Sequence, residues 1–189
     1  MIDKIDKKFP SMRKVLLKKF IVNINPNIVT VAALFAAILA AFCFYYNILL
    51  IAAFFVLLNG FLDILDGEIA KKYSQTALGD FLDHTFDRLA DTIILVGIAL
   101  NPEIPMLIGF ALVIVTLLVS YLGTAAQALT KKRLYAGLIG RSDRIVIISI
   151  IAILATFFKG ALFYGIVILL VLSIITFIQR FVIIYKSLK

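Results

Sequence analysis

A single cysteine, Cys43, excludes an internal disulfide and a thiolate metal site. Charge is also sparse: 16% of the 189 residues are Asp, Glu, Lys or Arg, against 63% apolar residues and a mean hydropathy of +1.09. A soluble domain carries roughly 45–50% apolar residues. The composition therefore excludes a soluble domain, and with it a disordered chain, a collagen and a disulfide-rich secreted scaffold. What is left is a polytopic membrane protein. At about 20–25 residues per span there is room for about six helices and no large soluble domain.

Uncharged runs locate the spans. The stretch 28–62 is too long for one helix and is interrupted at Tyr45-Tyr46-Asn47, which predicts helices near 27–46 and 48–72. A third follows from Gly79 to Leu100, and Asn101-Pro102-Glu103-Ile104-Pro105 is a turn. Ile104 to Thr130 gives the fourth helix, and Ile145 to Phe158 the core of the fifth. The sixth runs from Gly160 to Gln179 and on toward the C-terminus. Seven of the 19 basic residues precede Pro26, and five fall between Lys131 and Arg144. The loops on the opposite side hold only Lys159. The positive-inside bias places both termini and the 2–3 and 4–5 loops in the cytoplasm of a cell-membrane protein. The +8 formal charge is accounted for by this topology, so no nucleic-acid partner is expected.

Residues 1–25 form a basic juxtamembrane segment ahead of the bundle at 26–189, all in one domain. Ile5, Phe9, Met12, Leu16 and Phe20 recur at helical spacing among lysines, as in an amphipathic helix lying on anionic membrane lipids. No small-residue cleavage site separates this segment from the first span, so a cleaved signal peptide is not expected.

Acidic residues are scarce but clustered: seven of the 11 lie between Asp63 and Asp91. Carboxylates at membrane depth are costly and point to function. Asp63 and Asp66 are spaced i,i+3, and Asp83 and Asp87 i,i+4, so each pair shares a helical face. If helices 2 and 3 form an antiparallel hairpin, all four sit roughly 6–18 Å inside its cytoplasmic end. Four carboxylates so placed stay ionised only against cations. Apart from Arg88, no basic residue is interleaved with them. Hard oxygen ligands favour Mg²⁺ or Mn²⁺. The carboxylates alone are equally compatible with a cation-coupled transporter. Gly67, Ala70 and Gly79, with Lys71 and Thr76, favour the enzyme: small residues beside a metal site admit a bulky ligand, and a cation and a hydroxyl suit a diphosphate.

The run Asp63-x-x-Asp66-Gly67-x-x-Ala70-Lys71, then seven residues, then Gly79-x-x-x-Asp83-x-x-x-Asp87 resembles the signature of the CDP-alcohol phosphotransferase family. Asn25-Pro26-Asn27-Ile28-Val29-Thr30 is similar to that family's entry to helix 1. One departure is Lys71, where the family usually has Arg; the charge is kept but bidentate contact is not. The resemblance implies an all-α, six-span enzyme with a cytoplasmic active site, which transfers a phosphatidyl-type group from a CDP-linked lipid and releases CMP. It further implies that Asp63, Asp66, Asp83 and Asp87 hold the metals and that Asp87 is the general base. It places the CDP-lipid against Asn27, Thr30, Gly67, Ala70, Lys71, Thr76 and Gly79. A homodimer is also implied.

Lys131, Lys132, Arg133, Arg141 and Arg144 suggest that the acceptor alcohol itself carries phosphate. Arg141 and Arg144, spaced i,i+3 at the start of helix 5, are placed to aim at one anion beside that helix N-terminus. Gly137-x-x-Gly140-Arg141-x-Asp143-Arg144 is similar to a stretch of the inositol-phosphate-using branch, which implies CDP-archaeol and inositol 1-phosphate as substrates. That branch tends to have an Arg-Ala-Arg-Ala-Glu run after the helix 4 tyrosine, where this chain has Leu122-Gly123-Thr124-Ala125-Ala126-Gln127. Glycerol phosphate as acceptor, or CDP-inositol as donor, are the alternatives. His84 is expected to make a packing or polar contact, and Asp91 to hydrogen-bond inside the bundle with Arg88 one turn away.

Overall fold

The computed structural model describes residues 25–73, 76–130 and 136–189, and all regular structure in them is helical. Six helices follow one another: α1 (Pro26–Tyr45), α2 (Leu49–Tyr73), α3 (Ala77–Ala99), α4 (Met106–Thr130), α5 (Arg141–Phe157) and α6 (Ala161–Ser187). Their bounds follow the uncharged runs to within a few residues. The fifth starts earlier than its uncharged core, because Arg141 and Arg144 lie on its first turn. The basic segment before Asn25 and the residues Lys131, Lys132 and Arg133 lie outside the described residues.

Local chemistry sets the helix ends. Asn25 caps α1 by accepting from the Asn27 amide at 3.0 Å, with Pro26 pre-set at the first position. Thr76 caps α3 by accepting from the Gly79 amide at 3.0 Å. Gly140 precedes α5, and its amide donates to the Asp143 carboxylate at 3.0 Å. At the far end of the bundle, Asn47 turns the chain with φ 58°, and its side-chain amide donates to Glu103 at 3.0 Å. Asn101, 1% exposed, donates there to the Phe44 carbonyl at 2.6 Å.

The inner face of α1 is nearly all alanine. Ala33, Ala36, Ala37 and Ala40 are buried, and so small a face lets two helices close on it. Gly97 of α3 lies so near that a Cβ there would fall 2.5 Å from the Ala41 Cα. α1 therefore packs against both α2 and α3. Onward, α2 packs on α5, α5 on α6, α6 on α4 and α4 on α3, closing a six-helix ring. Successive helices α2 and α3 touch each other little. The two carboxylate-bearing helices thus face each other across a cleft, with α1 behind it and α5 opposite, and do not pack along their length. Isoleucine, leucine and phenylalanine cover the outside of the ring, including Phe35, Leu39, Phe54, Leu107, Phe157 and Ile168. So much exposed apolar surface belongs in lipid. Four helices (α1, α2, α4 and α6) are long and apolar enough to cross a membrane, so the chain is an integral membrane protein.

Candidate active site

The cleft between α2 and α3 gathers the acidic residues. One carboxylate oxygen each from Asp63, Asp83 and Asp87 lies within 4.8 Å of the other two. The i,i+4 spacing does this on α3, and the ring brings α2 to the same depth. Asp66 is beside them but set deeper, 3% exposed, and shares a small cavity with Asp63, Asp87, Thr30 and Asn59. Thr30 and the Gly67 amide lie close to Asp66, but neither carboxylate oxygen receives a well-formed hydrogen bond. The Thr30 hydroxyl donates instead to the Pro26 carbonyl at 3.1 Å.

The cation that balances these groups comes from α5. The Arg141 guanidinium reaches Asp63 at 2.7 Å, Asp87 at 2.9 Å and Asp91 at 3.3 Å, so one side chain ties α5 to both α2 and α3. Arg144, 6% exposed, makes a close ion pair with Asp91. The expected partner of Asp91 was Arg88 on the same helix; its ion-pair partners are these two arginines, and Arg88 donates to the His84 carbonyl at 3.0 Å. The two arginines do converge on one anion, as their spacing suggests, but it is Asp91 of the chain itself. Against Asp63, Asp66, Asp83, Asp87 and Asp91, Arg141 and Arg144 supply two positive charges. Convergent carboxylates with excess negative charge, one of them with both oxygens lacking a donor, fit hard divalent cations.

The residues expected to meet the nucleotide lie along the same cleft. The Asn27 side-chain oxygen is 3.5 Å from where a Gly79 Cβ would stand, and the Thr76 hydroxyl is 3.1 Å from it. α1 and the start of α3 thus bring Asn27, Thr76 and Gly79 together. A Cβ on Gly67 would meet nothing within 4 Å, so that stretch of α2 lies open. Lys71 is exposed and pairs with Glu68 at 2.9 Å, which keeps Glu68 from full solvation. His84 makes the polar contact expected of it, with Nδ1 3.3 Å from Asp83, and exposed Asp80 lies 3.9 Å from its Nε2.

Residues 23–185 match the family model for CDP-alcohol phosphatidyltransferase. The chain belongs to that family. It is 35% identical to the archaetidylinositol phosphate synthase of Pyrococcus horikoshii over 159 residues, 84% of this chain and 82% of the relative. It is 36% identical over 138 residues to the enzyme of that name from Methanothermobacter thermautotrophicus, with 69% and 68% covered. The fold is similar to Mycobacterium tuberculosis phosphatidylinositol phosphate synthase solved with CDP-DAG bound, at TM-score 0.77 and 26% identity over 92% of each chain. The same enzyme in complex with manganese and citrate also gives TM-score 0.77 and 26% identity, covering 92% of this chain and 87% of that one. A CDP-alcohol phosphatidyltransferase is a membrane transferase of phospholipid synthesis, and the acidic cleft gives this one a place for a divalent metal.

Two participants escape sequence reasoning. Asn59 is one helical turn before Asp63, but an asparagine within an apolar run carries no charge to draw notice. Arg141 is visible as a basic residue, yet its bond to three carboxylates on two other helices has no local signature.

Proposed function

We propose that this chain transfers an archaetidyl-type group from a CDP-linked lipid to the hydroxyl of a phosphorylated polyol, inositol 1-phosphate, and releases CMP. The observation that carries this is the meeting of Asp63, Asp83 and Asp87 within 4.8 Å beside buried Asp66. The names of the relatives favour inositol phosphate over glycerol phosphate as the acceptor.

In this reading Asp63, Asp66, Asp83 and Asp87 would hold Mg²⁺ or Mn²⁺, two ions in all, whose charge would offset that of the donor diphosphate and of the departing CMP. The donor lies along Asn27, Thr30, Gly67, Ala70, Lys71, Thr76 and Gly79. Gly67 lets it approach the α2 backbone, and Lys71 meets a phosphate. Asp87 takes the proton of the acceptor hydroxyl, whose oxygen attacks the lipid-side phosphorus. Lys131, Lys132, Arg133 and Arg141 bind the acceptor phosphate. Arg144 works behind them, because Asp91 anchors it and Arg141 together.

The whole chain, 1–189, is read as one domain with six spans. α3 is 23 residues long and fails as an apolar span because its charges face the cleft; α5, at 17 residues, is short but closes the same ring. Basic loops put the termini and active site in the cytoplasm, with residues 1–25 starting as a surface helix, and the enzyme acts as a homodimer.

The test is CMP release by purified protein in detergent with CDP-archaeol or CDP-diacylglycerol, Mg²⁺ or Mn²⁺, and one acceptor at a time. Release with inositol 1-phosphate, abolished by Asp87→Asn, is expected. Release with glycerol phosphate or serine alone would remove the proposed acceptor. Metal-independent release, or none with any donor including CDP-inositol, would refute the reaction.

A further inference from the structure

Asn59 is a buried amide in the cleft wall, and the proposed reaction gives it no part. It sits on α2, four residues before Asp63 and on the same face. It is 1% exposed. Its Nδ2 donates to the Ala33 carbonyl of α1 at 2.8 Å. That bond fixes the orientation of the amide, since only the NH₂ group can donate to a carbonyl. The oxygen is left on the other side of the amide from that carbonyl, and Asn59 lines the cavity it shares with Thr30, Asp63, Asp66 and Asp87. There Oδ1 has no hydrogen-bond partner. The three neighbouring aspartates, when ionised, only accept, and the Thr30 hydroxyl is directed to Pro26. A buried acceptor without a donor is destabilising, and an apolar residue at this position would avoid that penalty.

We propose that Asn59 belongs to the metal site as a positioning residue: its Oδ1 accepts a hydrogen bond from a water that the carboxylate-bound divalent cation holds in this cavity. A water on a divalent ion is a strong donor, and among these groups it supplies what Oδ1 lacks. The bond would hold that water against the α1–α2 wall and leave the opposite side of the cleft free for the diphosphate. Ala33 thus fixes Asn59, Asn59 fixes the water, and the metal position is tied to the α1 backbone. This rests on the reading of the aspartates as metal ligands.

Two variants separate the oxygen acceptor from the rest of the side chain. Asn59→Leu keeps the branched shape, with somewhat larger methyl groups, and removes both polar groups. Asn59→Asp keeps an acceptor but, when ionised, cannot donate to Ala33. Mn²⁺ affinity is read from the EPR signal of free Mn²⁺ with the full chain in detergent and no lipid substrate. Melting temperature is read separately in EDTA. The expected result is about a 10–100-fold weaker Mn²⁺ dissociation constant for Asn59→Leu, the range of outer-shell changes at metal sites, with Asn59→Asp at or tighter than the parent because its added charge also draws the cation. Equal affinity in all three, or a lower melting temperature alone, would reduce Asn59 to packing and overturn the proposal. Equal loss in both variants would assign the effect to the Ala33 bond and overturn it as well. If Asn59→Leu fails to fold, Asn59→Ala decides in its place: about a 10–100-fold weaker Mn²⁺ affinity supports the acceptor role, parent-like affinity refutes it. If the parent chain binds no Mn²⁺ while an Asp63→Asn control behaves identically, the metal-site reading falls first, and this inference with it.

Discussion

The pair Asp91–Arg144 offers the sharpest test of how the third wall of the cleft is held. Arg144 is 6% exposed, and its ion-pair partner among the described residues is Asp91. Asp91 has a second cation, Arg141, at 3.3 Å. The two single substitutions should therefore differ. Asp91→Asn leaves a buried guanidinium facing a neutral amide, and removal of one partner of a buried pair costs about 3–5 kcal/mol. The retained amide oxygen puts the expected cost near the low end, about 3 kcal/mol. Arg144→Met leaves Asp91 with Arg141, so the loss is about 2 kcal/mol, as for one hydrogen bond to a charged group. In the double variant neither charge remains buried and uncompensated, and it should be little worse than Asp91→Asn alone. The coupling is then about 2 kcal/mol, within the range for contacting residues.

The assay is reversible unfolding in mixed detergent–SDS micelles, followed by circular dichroism, for the parent, both singles and the double. CMP release is measured beside it. Asp91→Asn should also lower turnover in the native protein, because Arg141 keeps Asp63 and Asp87 but loses its third carboxylate, and Arg144 loses its partner. If the two substitutions add to within about 0.5 kcal/mol, the pair is not energetically connected, and the account of α5 as a charge-clamped wall is wrong.

Other consequences follow from single contacts. Gly97→Ala puts a Cβ 2.5–2.8 Å from Ala41 backbone and side-chain atoms; overpacking of about 1–3 kcal/mol should lower the melting temperature and CMP release together, and parent-like values of both would refute the close α1–α3 crossing. Lys71→Ala removes an exposed ion pair worth at most about 1 kcal/mol, so stability should hold while KM for the CDP-lipid rises about tenfold or more. Lys71→Arg should lower that KM below the parent value, and an unchanged KM in both variants would remove Lys71 from the donor site. Thr76→Ala deletes the cap on the Gly79 amide and should cost about 1 kcal/mol, with Thr76→Ser recovering most of it in a thermal melt.

Much of the arrangement was legible because charge is rare in an apolar chain. Any uncharged run long enough to span a bilayer declares a helix, so five of the six helix starts fall within two residues of the sequence reading; α5 begins four residues before its expected core. The carboxylates were legible for the same reason, and helical spacing alone put Asp83 and Asp87 on one face. Asn59 was not legible, since an uncharged polar residue in a membrane helix usually signifies packing. Its importance depends on which way the amide is turned, and the Ala33 carbonyl on another helix decides that.

α2 and α3 meet at their carboxylates but hardly along their length, and the physical reason also explains Arg141. Two helices that each carry paired carboxylates on their facing sides repel if they pack directly. Both can close instead on the alanine face of α1, where Gly97 meets Ala41 backbone to backbone, and so stand apart at the acidic end. The space this opens needs a wall with positive charge. α5 supplies it through Arg141, 50 residues beyond Asp91 in the chain. The charge that makes the site conspicuous in the sequence is thus what keeps its two helices from being neighbours. A motif confined to residues 63–87 can specify two walls of such a cleft. The third becomes legible only when the ring order is known, because no spacing within α5 says which carboxylates its guanidinium will meet.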